Sequence, residues 1–252
     1  MRVSRHDVRD EVSCLEQLMS AIARLCVATL LVVAWASCAG SPTASSAASP
    51  APSTTTPPNP PQPAASGALA LTRTLWTTIS TPQNFPLAND PSGNLTFDFP
   101  TAPNSMGYVY STRPPGTIAG SVVVSFQITT TGAPVFNYAS PDNTCMVPAK
   151  VRPFIWAHGN SPAEFDRWWS NPIAFELAAE SATMTVSLSP DRWSSVNGKF
   201  GNADAGALAG FQSALKAVSS LGLTFGGGCF FGHGVDVSGG TARFVLSKYA
   251  VS

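Results

Sequence analysis

The chain has 252 residues, of which only 11% are charged, and its 14 basic and 14 acidic side chains cancel. No long-range field follows from that balance, which argues against nucleic acid or any other polyanion as a partner. Apolar residues reach 44% beside 20 glycines, a mixture that favours strands and turns over disorder.

The first apolar run, Leu25 to Trp35 (LCVATLLVVAW), is about eleven residues long, follows Arg24 and precedes Ala36-Ser37-Cys38. A basic n-region, a short apolar run and small residues form the pattern of a secretory signal. A bilayer core of about 30 Å takes roughly 20 apolar residues, so export fits this run better than a permanent span. Residues 1–18 carry Arg2, Arg5, Asp7, Arg9, Asp10, Glu11 and Glu16, a mixed-charge stretch unlike an n-region. Met19-Ser20-Ala21-Ile22-Ala23-Arg24 is a compact n-region, which places the expected translation start at Met19.

Ala36-Ser37-Cys38-Ala39 resembles the lipobox of bacterial lipoproteins. The resemblance implies lipidation of Cys38 and an exported protein of the cell envelope, anchored to a membrane by lipid with its domain outside the cytoplasm. Trp35 departs from the family pattern, where Leu or Val is usual. The alternative is ordinary cleavage after Ala34-Trp35-Ala36, leaving Cys38 as a free thiol in an oxidising compartment. On either reading residues 1–38 form the leader.

Residues 39–66 contain only Ala, Ser, Pro, Thr, Gly, Asn and Gln. Without large apolar or charged side chains this stretch buries too little surface to offset its ordering entropy, and it reads as a disordered tether. Its Pro57-Pro58-Asn59-Pro60-Pro61 half favours an extended chain of about 3 Å per residue.

Residues 67–252 form the expected domain, an all-β jelly-roll sandwich with one short helix at its end. Period-two alternation marks the strands. Leu95, Phe97 and Phe99 alternate with polar residues, as do Val122, Val124, Phe126 and Ile128, and Met184, Val186 and Leu188. Turn clusters separate them, including Asn89-Asp90-Pro91-Ser92-Gly93 and Ser238-Gly239-Gly240. A helix is predicted over Ala205 to Leu221, from Leu208, Phe211, Leu215 and Val218 at helical spacing, with Gly222 as its C-terminal cap. A final hairpin follows, Phe230 to Val237 and Thr241 to Val251 about a Ser-Gly-Gly turn. Cys145 and Cys229, the cysteines of the domain, form an even pair that reads as a disulfide. Closing a loop of about 85 residues would contribute roughly 4 to 5 kcal/mol in the chain-entropy model.

The best candidate surface is the strand Val151 to His158, VRPFIWAH, whose alternation sets Arg152, Phe154, Trp156 and His158 on one face. Pro153 predicts an edge or a bulge. Glu164 to Pro172 follows as a loop-like stretch in which Arg167, Trp168 and Trp169 stand beside Glu164 and Asp166. Flat rings stack on the apolar faces of sugars while planar side chains bond the hydroxyls, so Arg152, Trp156, His158, Arg167, Trp168 and Trp169 are the candidate ligand-binding residues. The competing reading makes the tryptophans core plugs, with Arg167 paired to Glu164 or Asp166. Trp193, in Ser189 to Gly198, reads as a buried anchor.

Catalytic signatures are missing from this pattern. The glycines of Phe225 to Gly234 precede no Gly-Lys-Ser/Thr and open no helix, so they read as bulges and close approaches rather than a nucleotide loop. His158 and His233 lack a third ligand at diagnostic spacing, and no metal or cofactor is implied. The sequence has no G-x-S-x-G elbow and no H-E-x-x-H helix, and nothing marks Glu164, Asp166, Glu176 or Glu180 as an acid and base pair.

From about Phe175 to Tyr249, a Thr-Met-Thr-Val-Ser-Leu strand leads to Pro-Asp-Arg-Trp-Ser-Ser-Val-Asn-Gly, a Gly-Phe-Gln-Ser-Ala-Leu helix, a Leu-Gly-Leu-Thr-Phe-Gly-Gly-Gly segment and a last strand. This order resembles the C-terminal half of the galactose-binding-like jelly rolls that serve as carbohydrate-binding modules in secreted bacterial proteins. It covers about a third of the chain and is a likeness of architecture more than of motif. It carries Trp193 over as a structural anchor, while ligand residues vary too much within the family to transfer. Some members hold a structural calcium, for which this chain has no ligand run. The expectation is a non-catalytic, surface-tethered module that binds glycan or envelope polysaccharide. The alternatives are an envelope lipoprotein that docks a protein partner and, third, an envelope hydrolase.

Overall fold

A computed structural model describes residues 66–80, 85–103, 105–113, 115–138, 148–171, 174–227, 230–231 and 234–252. The leader, the tether up to residue 65, Cys145, Cys229 and His233 lie outside the described residues, and so does the disulfide expected between Cys145 and Cys229. Among the described residues no helix is long and apolar enough to cross a membrane.

The strands in chain order are β1 (Gly67–Ala68), β2 (Trp76–Ser80), β3 (Ala88–Asn89), β4 (Leu95–Asp98), β5 (Met106–Ser111), β6 (Ser121–Asn137) and β7 (Lys150–Ala157). They continue as β8 (Arg167–Ser170), β9 (Phe175–Glu176), β10 (Ser181–Ser187), β11 (Trp193–Ser195), β12 (Val218–Gly227), β13 (Phe230–Phe231) and β14 (Asp236–Val251). One helix, α1 (Ala205–Lys216), lies between β11 and β12.

Two antiparallel sheets result. The first runs β10-β6-β14-β4-β3, with β1 on β14, and the second runs β11-β8-β7-β12-β5-β2, with β9 on β7 and β13 on β12. Numbered by chain order, the eight principal strands β4, β5, β6, β7, β8, β10, β12 and β14 fall as first-eighth-third-sixth in one sheet and second-seventh-fourth-fifth in the other. That interleaving is the double Greek key of a jelly roll. Among the described residues, the expected all-β jelly-roll sandwich with a single helix is therefore the observed fold.

Alternation builds the core as predicted on β4, β6 and β10. Leu95, Phe97, Val122, Val124, Phe126, Ile128, Met184 and Val186 are all buried. Phe244 of β14 stacks on Phe97 at 5.1 Å and on Phe126 at 4.9 Å, and Phe225 of the facing sheet meets it edge-on at 5.8 Å. Such ring pairs add about 0.5–1.5 kcal/mol each beyond their buried area. Tyr249, fully buried on β14, sends its O–H across the sandwich to the carbonyl of Gly222 on β12 at 3.0 Å. Burial raises its pKa well above 10, so this donor keeps its proton at physiological pH.

Five features differ from the sequence reading. The helix stops at Lys216, not Leu221, and it buries Ala207, Phe211 and Ala214 rather than the full Leu208–Phe211–Leu215–Val218 stripe. Val218 already begins β12, because pairing with Ala157 across to β7 takes up the backbone groups of this β-branched segment. Gly222 is accordingly no helix cap. It sits mid-strand, where a Cβ would run into the backbone of Val109 and Tyr110. Ser238-Gly239-Gly240 is no hairpin turn either. It is a bulge within the single strand β14, facing Gly132–Val135 of β6, with Gly239 at φ +74°.

Pro153 also lies on an interior strand, not an edge, since β7 is flanked by β12 throughout. Its other neighbour changes from β9, at Lys150 and Val151, to β8, at Phe154–Trp156. On that side β7 is unpaired at Pro153, and a missing N–H there costs no ladder bond. Glu164 to Ser170 is likewise not a loop: a 3-10 turn, Glu164–Asp166, leads straight into β8.

Two measurements check this architecture. Gly222→Ala should destabilise the domain by about 3 kcal/mol or more in urea unfolding, against the roughly 1 kcal/mol that a helix-cap glycine would lose. Arg243 grips the Asp98 carboxylate with two bonds, Nε to Oδ1 at 2.7 Å and Nη2 to Oδ2 at 2.9 Å. The hydrogen bond from Arg243 is the main cause that holds Asp98 below its ordinary pKa of 3.8. A depressed carboxylate stabilises the fold above its unfolded pKa and stops doing so as pH falls through its native value. The pair is largely solvent-exposed, so the effect is small. Asp98→Asn should therefore be less stable than the native chain at neutral pH, with the difference closing as pH falls below 3.8 and through the lowered native value.

Candidate functional site

The outer surface of the second sheet departs from the rule that an antiparallel sheet keeps one face apolar and one face wet. On β7 the side chains of Val151, Ile155 and Ala157 enter the core, and Arg152, Phe154 and Trp156 point the other way. On β5, Val109 is in the core while Tyr108 and Tyr110 flank it on the outer face. On β8 Trp168 points inward and its neighbours Arg167 and Trp169 outward; on β12 the outward residues are Ser220, Gly222 and Thr224.

Strand register sets these residues in rows. Tyr110, Gly222, Phe154 and Trp169 form one row, Tyr108, Thr224 and Arg152 a second, and Ser220, Trp156 and Arg167 a third. Within this field four rings pack on one another. Phe154 meets Trp156 at 4.8 Å and Tyr108 at 5.0 Å, and Trp156 meets Tyr108 at 4.9 Å and Tyr110 at 5.4 Å. The bare Gly222 lies between Tyr110 and Phe154, whose rings approach to 6.1 Å over it. Phe154 is fully buried beneath the group, whereas Tyr108, Tyr110 and Trp156 are partly exposed.

Polar groups rim the rings. Burial raises the pKa of Tyr108, partly offset by the nearby Thr224, Trp169 and Arg167, and burial alone raises that of Tyr110. Both phenols therefore stay protonated at neutral pH, each able to donate and accept. Thr224 donates to the carbonyl of Gly107 at 3.2 Å. Arg152 is only 5% exposed, and desolvation draws its pKa down to about 9, which leaves it charged at neutral pH. Arg167 donates from Nη2 to the carbonyl of Pro162 at 2.6 Å, and its Nε makes no hydrogen bond. The indole N–H groups of Trp156 and Trp169 also lack an acceptor, that of Trp169 lying near the Tyr108 hydroxyl without hydrogen-bond geometry. An unpaired buried N–H costs about 1–3 kcal/mol.

Four of the six sequence-predicted residues, Arg152, Trp156, Arg167 and Trp169, share this face. Trp168 does not, and its selection as a ligand residue is corrected: it is fully buried in the core, donates to the carbonyl of Phe165 at 2.7 Å and meets Phe211 of α1 edge-on at 5.0 Å. Adjacent residues of a strand face opposite ways, so only one of the two tryptophans could serve the outer face. Trp193 is buried beside Phe211 and donates to the carbonyl of Ser187 at 2.8 Å. His158 lies past the end of β7, where its Nδ1 stands 2.6 Å from Asp166. Arg167 pairs with neither Glu164 nor Asp166: Glu164 accepts from Ser195 at 3.0 Å and Asp166 belongs to His158.

The sequence reading missed Tyr108 and Tyr110. Met106-Gly107-Tyr108-Val109-Tyr110-Ser111 carries the same period-two signal as the strands it did find, with rings on one side and Val109 on the other. The outer face of the first sheet contrasts with this field. It carries an open groove of about 370 Å³ lined mainly by hydroxyl and amide side chains, among them Ser125 and Thr183 bonded at 2.9 Å. Among the described residues no three His, Cys, Asp or Glu side chains converge as metal ligands. Set against protein-family models, curated proteins and solved structures, the chain finds no match in any of the three.

Proposed function

We propose that this is a surface-tethered binding module for glycan or envelope polysaccharide, with the outer face of the second sheet as its platform. The observation that carries the reading is the group of partly exposed rings Tyr108, Tyr110 and Trp156, seated on the buried Phe154 and rimmed by Arg167 and Trp169. Rings held by one another and by a sheet lose little freedom on binding, so stacking on the apolar face of a sugar is not offset by ordering them. The phenol hydroxyls of the partly exposed Tyr108 and Tyr110 supply the hydrogen-bonding side of sugar recognition. A leader that ends in a lipidated Cys38, followed by the tether of residues 39–66, would hold the platform outside the membrane.

A second reading, a docking surface for a protein partner, draws on Ile79. This residue of β2 is 42% exposed, pairs with Tyr108 and extends the apolar field to the sheet edge.

Trp156→Ala combined with Tyr108→Ala should lower retention on polysaccharide columns and glycan arrays by at least about tenfold, the stacking of one or two rings. The double variant must keep a cooperative melt. Unchanged glycan binding would remove the platform assignment, and loss of a protein partner with no glycan binding at all would favour the second reading. For the anchor, Cys38→Ser should abolish incorporation of an alkyne-tagged fatty acid and release the domain from the membrane fraction. Incorporation that persists in this variant would overturn lipidation at Cys38.

A further inference from the structure

Three side chains at the open end of β7 stand in the order of a hydrolytic triad. His158 Nδ1 is 2.6 Å from Asp166 Oδ1, and His158 Nε2 is 3.4 Å from Ser213 Oγ. They come from three separate elements: the turn after β7, the 3-10 turn before β8, and the exposed side of α1. A carboxylate only accepts, so Nδ1 carries the proton toward Asp166, and Nε2 of the neutral ring is then left as the acceptor for the Ser213 hydroxyl. That is the tautomer a general base needs, fixed by the group behind it. Looser contacts between nucleophile and base are usual before a substrate is bound.

The turn that presents His158 supplies a second observation. His158 at φ +48° and Asn160 at φ +62° are the two non-glycine residues with positive φ among the described residues, and Gly159 between them is at φ +72°. Side chains rarely adopt that backbone, and it persists only where the surroundings over-determine it. Here the His158 N–H is held by the carbonyl of Ala217 at 2.9 Å and the Gly159 N–H by the Ser219 hydroxyl at 2.6 Å. The imidazole is thereby pinned beside α1, with 39% of its side chain still open to solvent.

We propose that Ser213, His158 and Asp166 hydrolyse esters of small acyl groups. The inference goes beyond the binding module and does not depend on it. Ser213 Oγ attacks the ester carbonyl carbon as its proton passes to His158 Nε2. The tetrahedral adduct collapses, the bond to the alcohol oxygen breaks, and that oxygen takes the proton from Nε2. Water repeats the cycle on the acyl-serine and releases the acid. Asp166 is a positioning residue that holds the imidazole in its base tautomer. Ser213 is exposed on α1, and an open position of that kind suits a short acyl chain, such as acetyl, on a bulky alcohol.

The test uses the full chain with a fluorophosphonate probe and with p-nitrophenyl acetate. Mass spectrometry should place the probe on Ser213, and both labelling and hydrolysis should be lost in Ser213→Ala, a change that keeps a good helix former on α1. His158→Ala should lower hydrolysis by about 10²–10⁴-fold, the usual contribution of a general base. Asp166→Asn should reduce labelling while leaving the melting curve cooperative. A folded native chain that takes no probe at Ser213, or hydrolysis unchanged in Ser213→Ala, would overturn the proposal.

Discussion

At Gly222 the backbone of β12 is gripped from inside the sandwich and covered from outside. On the inner side the fully buried Tyr249 of the facing sheet donates its O–H to the Gly222 carbonyl. On the outer side Tyr110 and Phe154 close over the missing side chain. A Cβ there would push β12 away from β5 and hold the rings apart. The spacing of the two sheets and the continuity of the aromatic field thus rest on one residue that lacks a side chain, and loss of either support would be felt on the other side.

The two sheets treat their outer faces differently, and the difference is what singles out a candidate site. The first sheet follows the ordinary rule: Val124, Phe126, Met184 and Val186 face in, while Ser125, Gln127, Thr183 and Thr185 face out. In the second sheet β7 is apolar on both sides, with Ile155 in the core and Phe154 and Trp156 in the outer cluster. An isolated exposed apolar residue is unremarkable, whereas a contiguous group of partly exposed rings is what makes this face the candidate site. Local departures from consistent patterning are expected where a protein acts.

Legibility in the sequence followed periodicity closely. Where one face of a strand is buried, as along β4, β6 and β10, alternation of residue types is enough to name the core residues, because the pleat enforces a period of two. It was weaker for α1, whose apolar stripe continues in sequence into Val218 although strand pairing claims that residue. It failed at Ser238-Gly239-Gly240, since glycines that permit a turn equally permit a bulge, and only the presence of β6 opposite decides between them. At the candidate site, alternation along VRPFIWAH correctly grouped Arg152, Phe154 and Trp156, but could not choose between Trp168 and Trp169. The choice depends on which way β8 presents its pleat to the core, and that is fixed by α1 and Phe211.

The sequence by itself determined the class of fold and the strands that supply the core, because burying one face of a pleated chain imposes a pattern that composition either meets or does not. It also singled out the segments that carry the aromatic residues. Tertiary structure alone decided how those segments assemble. Tyr108 and Tyr110 join Trp156 only because β5 and β7 both pair with β12, and Ser213 meets His158 and Asp166 only because α1 packs against the end of β7. Such groupings bring together residues that are tens of positions apart, and no local periodicity records them, since the energy that creates them comes from pairing and packing between distant strands.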